Sequence, residues 1–264
     1  MQSKIYLGTI ALEPNRWSSR TASIDVLQWM DRAAGSGFDG VEVWEPHYVQ
    51  ASPEVQNKLY EKRGQTVIFN SYLLPESGTE ASWERLAEIC RRLEVRGLKF
   101  NFGPDETRIQ EYVTVLSTVR KYFPDELGFL CECHPGTVAE QPEGARSVLS
   151  AAGLEDVGII CHPFLIGEAK LTRWLDIFGP RVQHMHVQMR DAERKIIRLR
   201  DKPEYVNRQI ALLHEHGFEG TWTVEFVFGT ASPSDIPETL FTEACKDRDV
   251  LATTLRVSKP SGDR

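Results

Sequence analysis

The sequence lacks the features that mark membrane, nucleic-acid-binding and secreted proteins. No apolar run approaches the roughly 20 residues that a membrane-spanning helix needs, and the first residues, MQSK, lead into a short strand without a signal-peptide core. Lys and Arg number 31 against 38 Asp and Glu, a formal charge of −7. That balance argues against a surface that neutralises phosphates or anionic lipid. We therefore expect a cytoplasmic protein that acts on a small polar substrate and binds neither nucleic acid nor membranes.

The cysteines show no pattern of disulfides or of a zinc ribbon. Five are present, an odd number, and no CxxC pair occurs. Cys131 and Cys133 flank Glu132 on a predicted strand, where alternation turns both towards the helices and away from Glu132. They could in principle bind metal, but we expect reduced, mostly buried thiols, here and at Cys90, Cys161 and Cys245.

Strand-like and helix-like segments alternate along the chain, the pattern of a parallel sheet with helical crossovers. A chain of 264 residues with 41% hydrophobic residues can build a substantial core, and its length alone permits one barrel or two small domains. Eight βα units without a linker favour an α/β fold, a single (β/α)8 TIM barrel over residues 1–257, followed by a disordered tail over 258–264. The predicted strands are 5–10, 40–44, 66–70, 97–102, 127–133, 157–161, 182–188 and 221–228, and the predicted helices are 23–34, 53–62, 81–94, 107–122, 142–152, 170–178, 203–216 and 237–251.

Each of the last four predicted strands presents a potential metal ligand near its carboxyl end. These ligands are Glu132, His162, His186 and Glu225. Alternation places Glu132 on one face with Leu130 and His134, whereas residues such as Met185, Val224 and Phe226 fall on the opposite, apolar face. Because the active site of a barrel lies at the carboxyl ends of its strands, we expect the four ligands to point into one cavity there.

These strand endings resemble those of the xylose isomerase-like TIM barrels, the sugar phosphate isomerase/epimerase superfamily. In that family a Glu, an Asp, a His and a Glu hold one divalent ion, and the resemblance carries these roles to Glu132, His162, His186 and Glu225. His162 stands where the family has Asp, and Leu165 where it usually has His. Imidazole in place of carboxylate favours manganese, zinc, cobalt or iron over magnesium. The matching segments are GFDGVEVW at 37–44, CECHPGT at 131–137, VGIICHP at 157–163, HMHVQ at 184–188 and TVEF at 223–226.

The resemblance implies a metal-dependent isomerase or epimerase that acts on a small sugar or keto acid through a metal-stabilised enediolate. It implies that Glu132 and Glu225 transfer protons as well as bind metal. His134, nearer the strand end than Glu132, is a further candidate acid or substrate contact. The candidate substrate-binding residues are Arg190, Trp44, His184 and Gln188, although Arg190 also fits a surface salt bridge and His184 a core histidine. Trp17 is an alternative to Trp44 for stacking on a sugar.

Other functions remain compatible with the sequence. The nearest alternative is a metal-dependent lyase or dehydratase of a keto-sugar or a dehydroshikimate-like compound. An apurinic-site endonuclease would need more His and Asp ligands and a basic groove, and a metal-free barrel could only bind a ligand or a partner. The charged stretch Asp191–Lys202 is either a lid or a solvated insertion. The resemblance also makes a homo-oligomer, a dimer or tetramer, plausible.

Overall fold

The computed structural model describes residues 3–257, and in this part of the chain eight parallel strands close into a barrel. Each strand pairs with the next along the chain, and the last pairs with the first. The predicted (β/α)8 barrel is therefore confirmed; the tail 258–264 lies outside the described residues. The barrel strands are β1 Ile5–Gly8, β2 Val41–Trp44, β3 Thr66–Asn70, β4 Gly97–Phe100, β5 Gly128–Glu132, β6 Gly158–Cys161, β7 Val182–Val187 and β10 Thr221–Val224.

Helices follow the strands and cover the outside of the barrel. Local signals fix several of their starts: the Asp25 carboxylate accepts the Leu27 and Gln28 N–H groups, and the Ser52 hydroxyl accepts that of Val55. No helix within residues 3–257 is long and apolar enough to cross a membrane. The helices are α1 Val26–Gly35, α2 Pro46–Val49, α3 Pro53–Glu61, α4 Glu80–Leu93, α5 Ile109–Val119, α6 Pro142–Ala151, α7 Gly167–Phe178, α8 Pro203–Glu215 and α9 Pro237–Val257.

The connection after β7 is folded rather than a plain solvated insertion. It contains an antiparallel hairpin of β8 Met189–Arg190 and β9 Ile196–Ile197, followed by a short 3-10 turn. The Ile196 side chain is buried against residues of the barrel mouth. Arg198 donates to Glu243 of α9 over 2.6 Å, which ties this connection to the last helix.

Side chains inside the barrel form layers along its axis. An apolar layer of Tyr6, Val67, Ile68, Leu130 and Ile160 fills the amino-terminal end. Later along the strands comes a polar layer, and beyond it a second apolar cluster. This mouth cluster consists of Ile10, Trp44, Ile196 and Phe226, with Tyr72 packed against it.

The prediction that Phe226 faces the helices is wrong. Phe226 lies in the mouth cluster, and its ring centroid is 5.0 Å from that of Trp17. β10 ends at Val224, so side-chain alternation no longer governs the residues beyond that point. The aromatic ring therefore lies over the cavity instead of in the outer core.

A buried Glu–His pair holds the connection between β1 and α1. Glu13 Oε2 lies 3.2 Å from His47 Nε2, while the other nitrogen of His47 is 2.9 Å from Thr9 Oγ1. Glu13 also accepts the Ser23 N–H and hydroxyl, over 2.7 and 2.6 Å. This carboxylate joins both ends of the loop that carries Trp17 to the mouth.

Candidate metal centre

The structure brings the four predicted ligands together at the carboxyl end of the barrel. Glu132 is the last residue of β5 and His186 lies within β7, whereas His162 and Glu225 directly follow β6 and β10. One donor atom from each side chain lies within 4.8 Å of each of the others. All four residues are buried, with 3% or less of their surface exposed. Their role as metal ligands stays a prediction, and their common position is a structural fact.

The distances among the donor atoms suit a coordination sphere. His186 Nδ1 lies 3.0 Å from Glu132 Oε1 and 3.4 Å from Glu225 Oε1. His162 Nε2 lies 3.2 Å from Glu132 Oε1 and 3.4 Å from Glu225 Oε2. Ligands held at about 2.1 Å from one ion stand roughly 3.0–3.4 Å apart in octahedral or tetrahedral arrangements. This donor set therefore fits a single divalent ion.

The Nε2 atom of His162 supports the same conclusion. It is buried and has no hydrogen-bond partner, because its contacts with the two carboxylates do not have hydrogen-bond geometry. A buried polar atom without a partner carries a free-energy penalty. A metal ion bound at this nitrogen would remove that penalty.

Lys99 is a component of the site that the sequence analysis missed. Its side chain is completely buried, and Nζ lies 2.8 Å from Glu132 Oε2 and 2.7 Å from Asn101 Oδ1. The ammonium group also lies 4.1 Å from the ring centroid of Tyr72. Asn101 Nδ2 donates to the same Glu132 oxygen over 2.9 Å. A lysine between Leu98 and Phe100 in a buried strand is a signal that could have identified it, since lysine is rarely buried without a partner.

Opposite charges compensate one another within this buried layer. Burial alone would raise the pKa of Glu132, but the Lys99 ammonium, the nearby imidazole of His162 and the hydrogen bond with His186 hold it well below its usual value. Burial likewise opposes ionisation of Glu225, yet the charge of His186 and the close imidazole of His162 lower its pKa to about 2.

The imidazoles of His162 and His186 form the donor cluster together with the carboxylates of Glu132 and Glu225. The pKa values of these two imidazoles shift in the opposite direction to those of the carboxylates. Burial would lower their pKa values, but the neighbouring carboxylates raise that of His162 and raise that of His186 well above its usual value. The carboxylates therefore favour the protonated form of both imidazoles, and a metal ion that binds these nitrogens has to displace their protons.

Below the donor cluster lies a second group of buried polar residues. Glu42 Oε2 is 3.2 Å from His186 Nε2 and 3.6 Å from His184 Nε2. The other oxygen of Glu42 accepts a hydrogen bond from Asn70 Nδ2 over 2.6 Å. These contacts join β2, β3 and β7 inside the barrel.

The predicted substrate contact of His184 does not fit its position. Its Nδ1 lies 2.7 Å from Thr221 Oγ1, and its Nε2 lies 2.9 Å from Thr223 Oγ1. Both ring nitrogens are thus occupied by residues of β10, and the side chain is buried. His184 precedes His186 by two residues on β7 and so lies deeper in the barrel, with no nitrogen left for a substrate.

Two other predicted substrate-binding residues form a chain from the donor cluster to the rim. Gln188 Nε2 donates to Glu225 Oε2 over 2.8 Å. Arg190 Nη2 donates to Gln188 Oε1 over 3.4 Å, and Nη1 donates to the Arg194 carbonyl over 3.2 Å. Within residues 3–257 this guanidinium forms no salt bridge, and its partners are the Gln188 side-chain oxygen and the Arg194 carbonyl.

His134 and Trp44 differ in their exposure to solvent. His134 is exposed, with Nδ1 2.6 Å from the Pro135 carbonyl oxygen and its ring centroid 6.4 Å from that of His162. Trp44 is fully buried in the mouth cluster. The stacking predicted for Trp44 would therefore require Ile196 to move, whereas Trp17 is 52% exposed at the same end.

Comparison with known proteins shows a likeness in fold. No family model matches the chain, and no curated protein matches its sequence. The probable 3-DHS dehydratase AsbF from Bacillus anthracis, involved in petrobactin synthesis, is 17% identical with a TM-score of 0.67, over 91% of this chain and 97% of that one.

Two further solved structures widen the range of activities with this fold. A xylose isomerase-like TIM barrel protein from Mycobacterium smegmatis, in complex with magnesium, is 12% identical with a TM-score of 0.62, over 96% of this chain and 98% of that one. Endonuclease IV from Thermus thermophilus is 13% identical with a TM-score of 0.63, over 96% of this chain and 99% of that one. The resemblance read from the strand endings is confirmed as to fold. The reaction has to be argued from the side chains.

Proposed function

We propose that this chain, which has the xylose isomerase-like TIM-barrel fold, is a divalent-metal-dependent isomerase or epimerase of a small sugar or keto acid. One observation carries the proposal: two carboxylates and two imidazoles from four strands converge at the carboxyl end of the barrel. The His162 nitrogen among them has no hydrogen-bond partner. Convergent buried titratable groups at that end of a barrel are typical of an active site.

Glu132, His162, His186 and Glu225 would hold the ion. When bound, such an ion polarises a carbonyl group and stabilises negative charge on its oxygen. Two imidazole and two carboxylate donors suit manganese, zinc, cobalt or iron better than magnesium, which prefers oxygen ligands.

Glu225 is the better of the two carboxylates for proton transfer. Glu132 Oε2 already accepts from Lys99 Nζ and Asn101 Nδ2, so moving a proton onto it would break charge-assisted hydrogen bonds. Glu225 Oε2 accepts a hydrogen bond from a neutral donor, the Gln188 amide. It lies 3.4 Å from His162 Nε2, and no lysine within residues 3–257 forms an ion pair with it. Its low pKa keeps it ionised near neutral pH, the form that a base requires. Glu225 would take the proton from the carbon beside the carbonyl and return it to the former carbonyl carbon, while the proton of the neighbouring hydroxyl moves to the former carbonyl oxygen. Epimerisation would instead need a second acid on the opposite face of the same carbon.

Groups at the mouth would orient the substrate. Arg190 reaches Glu225 through Gln188 and presents a cation to a hydroxyl or carboxylate oxygen. His134 is exposed to solvent beside His162 and would serve as a second proton carrier. The buried donors favour a small substrate, because a larger one would have to displace the mouth cluster.

A lyase or dehydratase is the second candidate, favoured by the position of His134. Elimination needs an acid that gives a proton to the departing hydroxyl while a base removes the carbon-bound proton. The ring centroid of exposed His134 lies 6.4 Å from that of His162, and His162 Nε2 lies 3.4 Å from buried Glu225, so His134 and Glu225 could divide these tasks. The products would be water and an unsaturated carbonyl compound, with no net oxidation.

Elemental analysis and turnover in D2O test the proposal. Protein purified without added metal should contain one divalent ion per chain, and turnover of aldoses, ketoses or keto acids should place deuterium on the carbon that receives the proton. An ultraviolet-absorbing product would favour the dehydratase instead. Turnover without exchange of that hydrogen would exclude proton transfer through Glu225 and leave a hydride shift. A protein that binds no divalent ion under any loading condition would contradict both candidates.

A further inference from the structure

Glu42 is a buried carboxylate outside the donor cluster, yet it contacts one of the proposed ligands. It is 1% exposed, points into the barrel from β2, and brings Oε2 to 3.2 Å from His186 Nε2. We infer that Glu42 is a positioning residue for the metal centre: it accepts the Nε2 hydrogen of His186 and thereby makes Nδ1 the metal-binding nitrogen.

The argument follows from the hydrogen-bonding capacity of the two groups. An ionised carboxylate only accepts hydrogen bonds, and a neutral imidazole carries a single N–H. With that hydrogen on Nε2 and directed at Glu42, the lone pair of His186 lies on Nδ1. Nδ1 is the nitrogen that faces the cluster, 3.0 Å from Glu132 Oε1 and 3.4 Å from Glu225 Oε1. A hydrogen bond at one ring nitrogen generally fixes which nitrogen binds a metal.

Glu42 is itself held in place from two sides. Asn70 on β3 donates to Oε1 over 2.6 Å, and His184 Nε2 lies 3.6 Å from Oε2. Thr221 and Thr223 in turn occupy the nitrogens of His184. The carboxylate is therefore anchored by three strands, and the ring of His186 has little freedom to rotate.

Glu42, His184 and His186 also form a group that could by itself hold an ion. Its contacts favour a supporting role instead. His186 offers Nε2 to this group only if the nitrogen loses its hydrogen, and His184 already meets two threonine hydroxyls. The same atoms satisfy each other within the protein, as expected for groups that orient a ligand.

The inference rests on the metal site of the proposed function and not on its reaction, so it is tested by binding and spectroscopy. Two variants separate the hydrogen bond from the charge. Glu42→Met removes the acceptor at similar volume. Glu42→Gln keeps an acceptor oxygen for His186. Its new amide N–H group can donate to Asn70 Oδ1, a buried atom without a partner, if the side-chain amide of Asn70 rotates by half a turn.

Glu13→Gln is the matched control. Glu13 is fully buried, and its Oε2 lies 3.2 Å from His47 Nε2, the same contact that Glu42 makes with His186. The other nitrogen of His47 meets Thr9 and not the donor cluster. This variant should lose stability without any change in metal affinity.

Zinc affinity, measured by competition with a fluorescent chelator, should fall about 10–100-fold in Glu42→Met, as for other lost partners of ligating histidines. It should fall by a smaller factor in Glu42→Gln and stay unchanged in Glu13→Gln. Nitrogen-15 NMR of the zinc-loaded protein should show His186 protonated at Nε2 in the wild type. That proton resonance should move upfield in Glu42→Gln, because an amide oxygen is a weaker acceptor than a carboxylate.

Wild-type affinity in a folded Glu42→Met protein would overturn the inference while leaving the metal site intact. If Glu42→Met does not fold, the Glu42→Gln spectrum decides alone, since an unmoved Nε2 proton resonance would mean that this hydrogen does not point at residue 42. Wild-type protein that binds no zinc would instead contradict the proposed function itself.

Discussion

At the scale of single residues, the two carboxylates of the donor cluster differ in what meets their outer oxygen. Glu132 Oε2 accepts hydrogen bonds from the Lys99 ammonium and the Asn101 amide, whereas Glu225 Oε2 accepts one from the neutral Gln188 amide. In Glu225→Gln, the rate of turnover should therefore fall by roughly 10²–10⁴, as for a lost general base, while KM changes much less. Steady-state kinetics and loss of deuterium exchange would check this. Asp247→Asn, at a buried carboxyl of α9, is the control.

Glu132→Gln should behave differently from Glu225→Gln. It removes a proposed ligand charge and leaves buried Lys99 without its ionic partner, a change that typically destabilises a protein. Loss of metal and of thermal stability should accompany its loss of activity. Full stability in Glu132→Gln together with full proton exchange in Glu225→Gln would reverse the roles assigned here.

His162 is the residue that sets this site apart from the pattern its motifs resemble. His162→Asp should keep metal binding but move the order of affinities towards harder ions, because a carboxylate replaces an imidazole in the same number of donors. Competition among zinc, manganese and magnesium measures that order. An unchanged order would show that position 162 does not contribute a ligand.

At the scale of elements, the loop between β1 and α1 depends on the ionised Glu13. Burial would raise the pKa of Glu13, but its hydrogen bonds with His47 and Ser23 lower it from 4.5 to about 2. A lowered pKa in the folded state means that ionised Glu13 stabilises the fold above pH 4.5, and that this contribution disappears as the pH falls towards 2. Thermal unfolding of wild type and Glu13→Gln should therefore differ at pH 7 and converge only as the pH falls to about 2. A constant difference would assign the effect to packing alone.

The elements also show where sequence patterns stop being informative. Eight strands and eight longer helices could be predicted from alternation and capping residues, with ends displaced by a few residues. The hairpin of β8 and β9 could not, because strands of two residues carry no alternation. The wrong prediction for Phe226 arose because alternation was extended too far: the strand was predicted to run to residue 228, whereas it ends at Val224.

At the scale of the whole molecule, the buried charges make ion binding depend on pH. The carboxylates raise the pKa of His162 and of His186, so an ion that binds these nitrogens must displace their protons. Zinc affinity should rise as the pH rises through these raised values and level off above them. Calorimetry in buffers of different ionisation enthalpy should detect up to two protons released per ion. Release of none would show that the histidines are neutral before binding.

The convergence of the ligands was predictable because a closed barrel brings every strand end to one rim. Strand order and side-chain alternation were sufficient to predict that the four ligands, Glu132, His162, His186 and Glu225, lie together. Lys99 and Glu42 were harder, because their roles depend on which atoms meet across the barrel interior. Glu42 Oε2 meets His186 Nε2 over 144 positions of sequence, and the register between those strands follows from packing and not from any local motif.

The place of Glu225 in the chain also bears on how the barrel closes. β10 is the last barrel strand along the chain and pairs with both β7 and β1, so the donor set is complete only once β10 has joined the sheet. An ion held by Glu132, His162, His186 and Glu225 would tie β10 to β7, β6 and β5 at their carboxyl ends. Hydrogen exchange at the amides of β7 and β10 should then slow on zinc addition more than exchange at β3 and β4, so that the ion would hold the last barrel strand in the closed sheet.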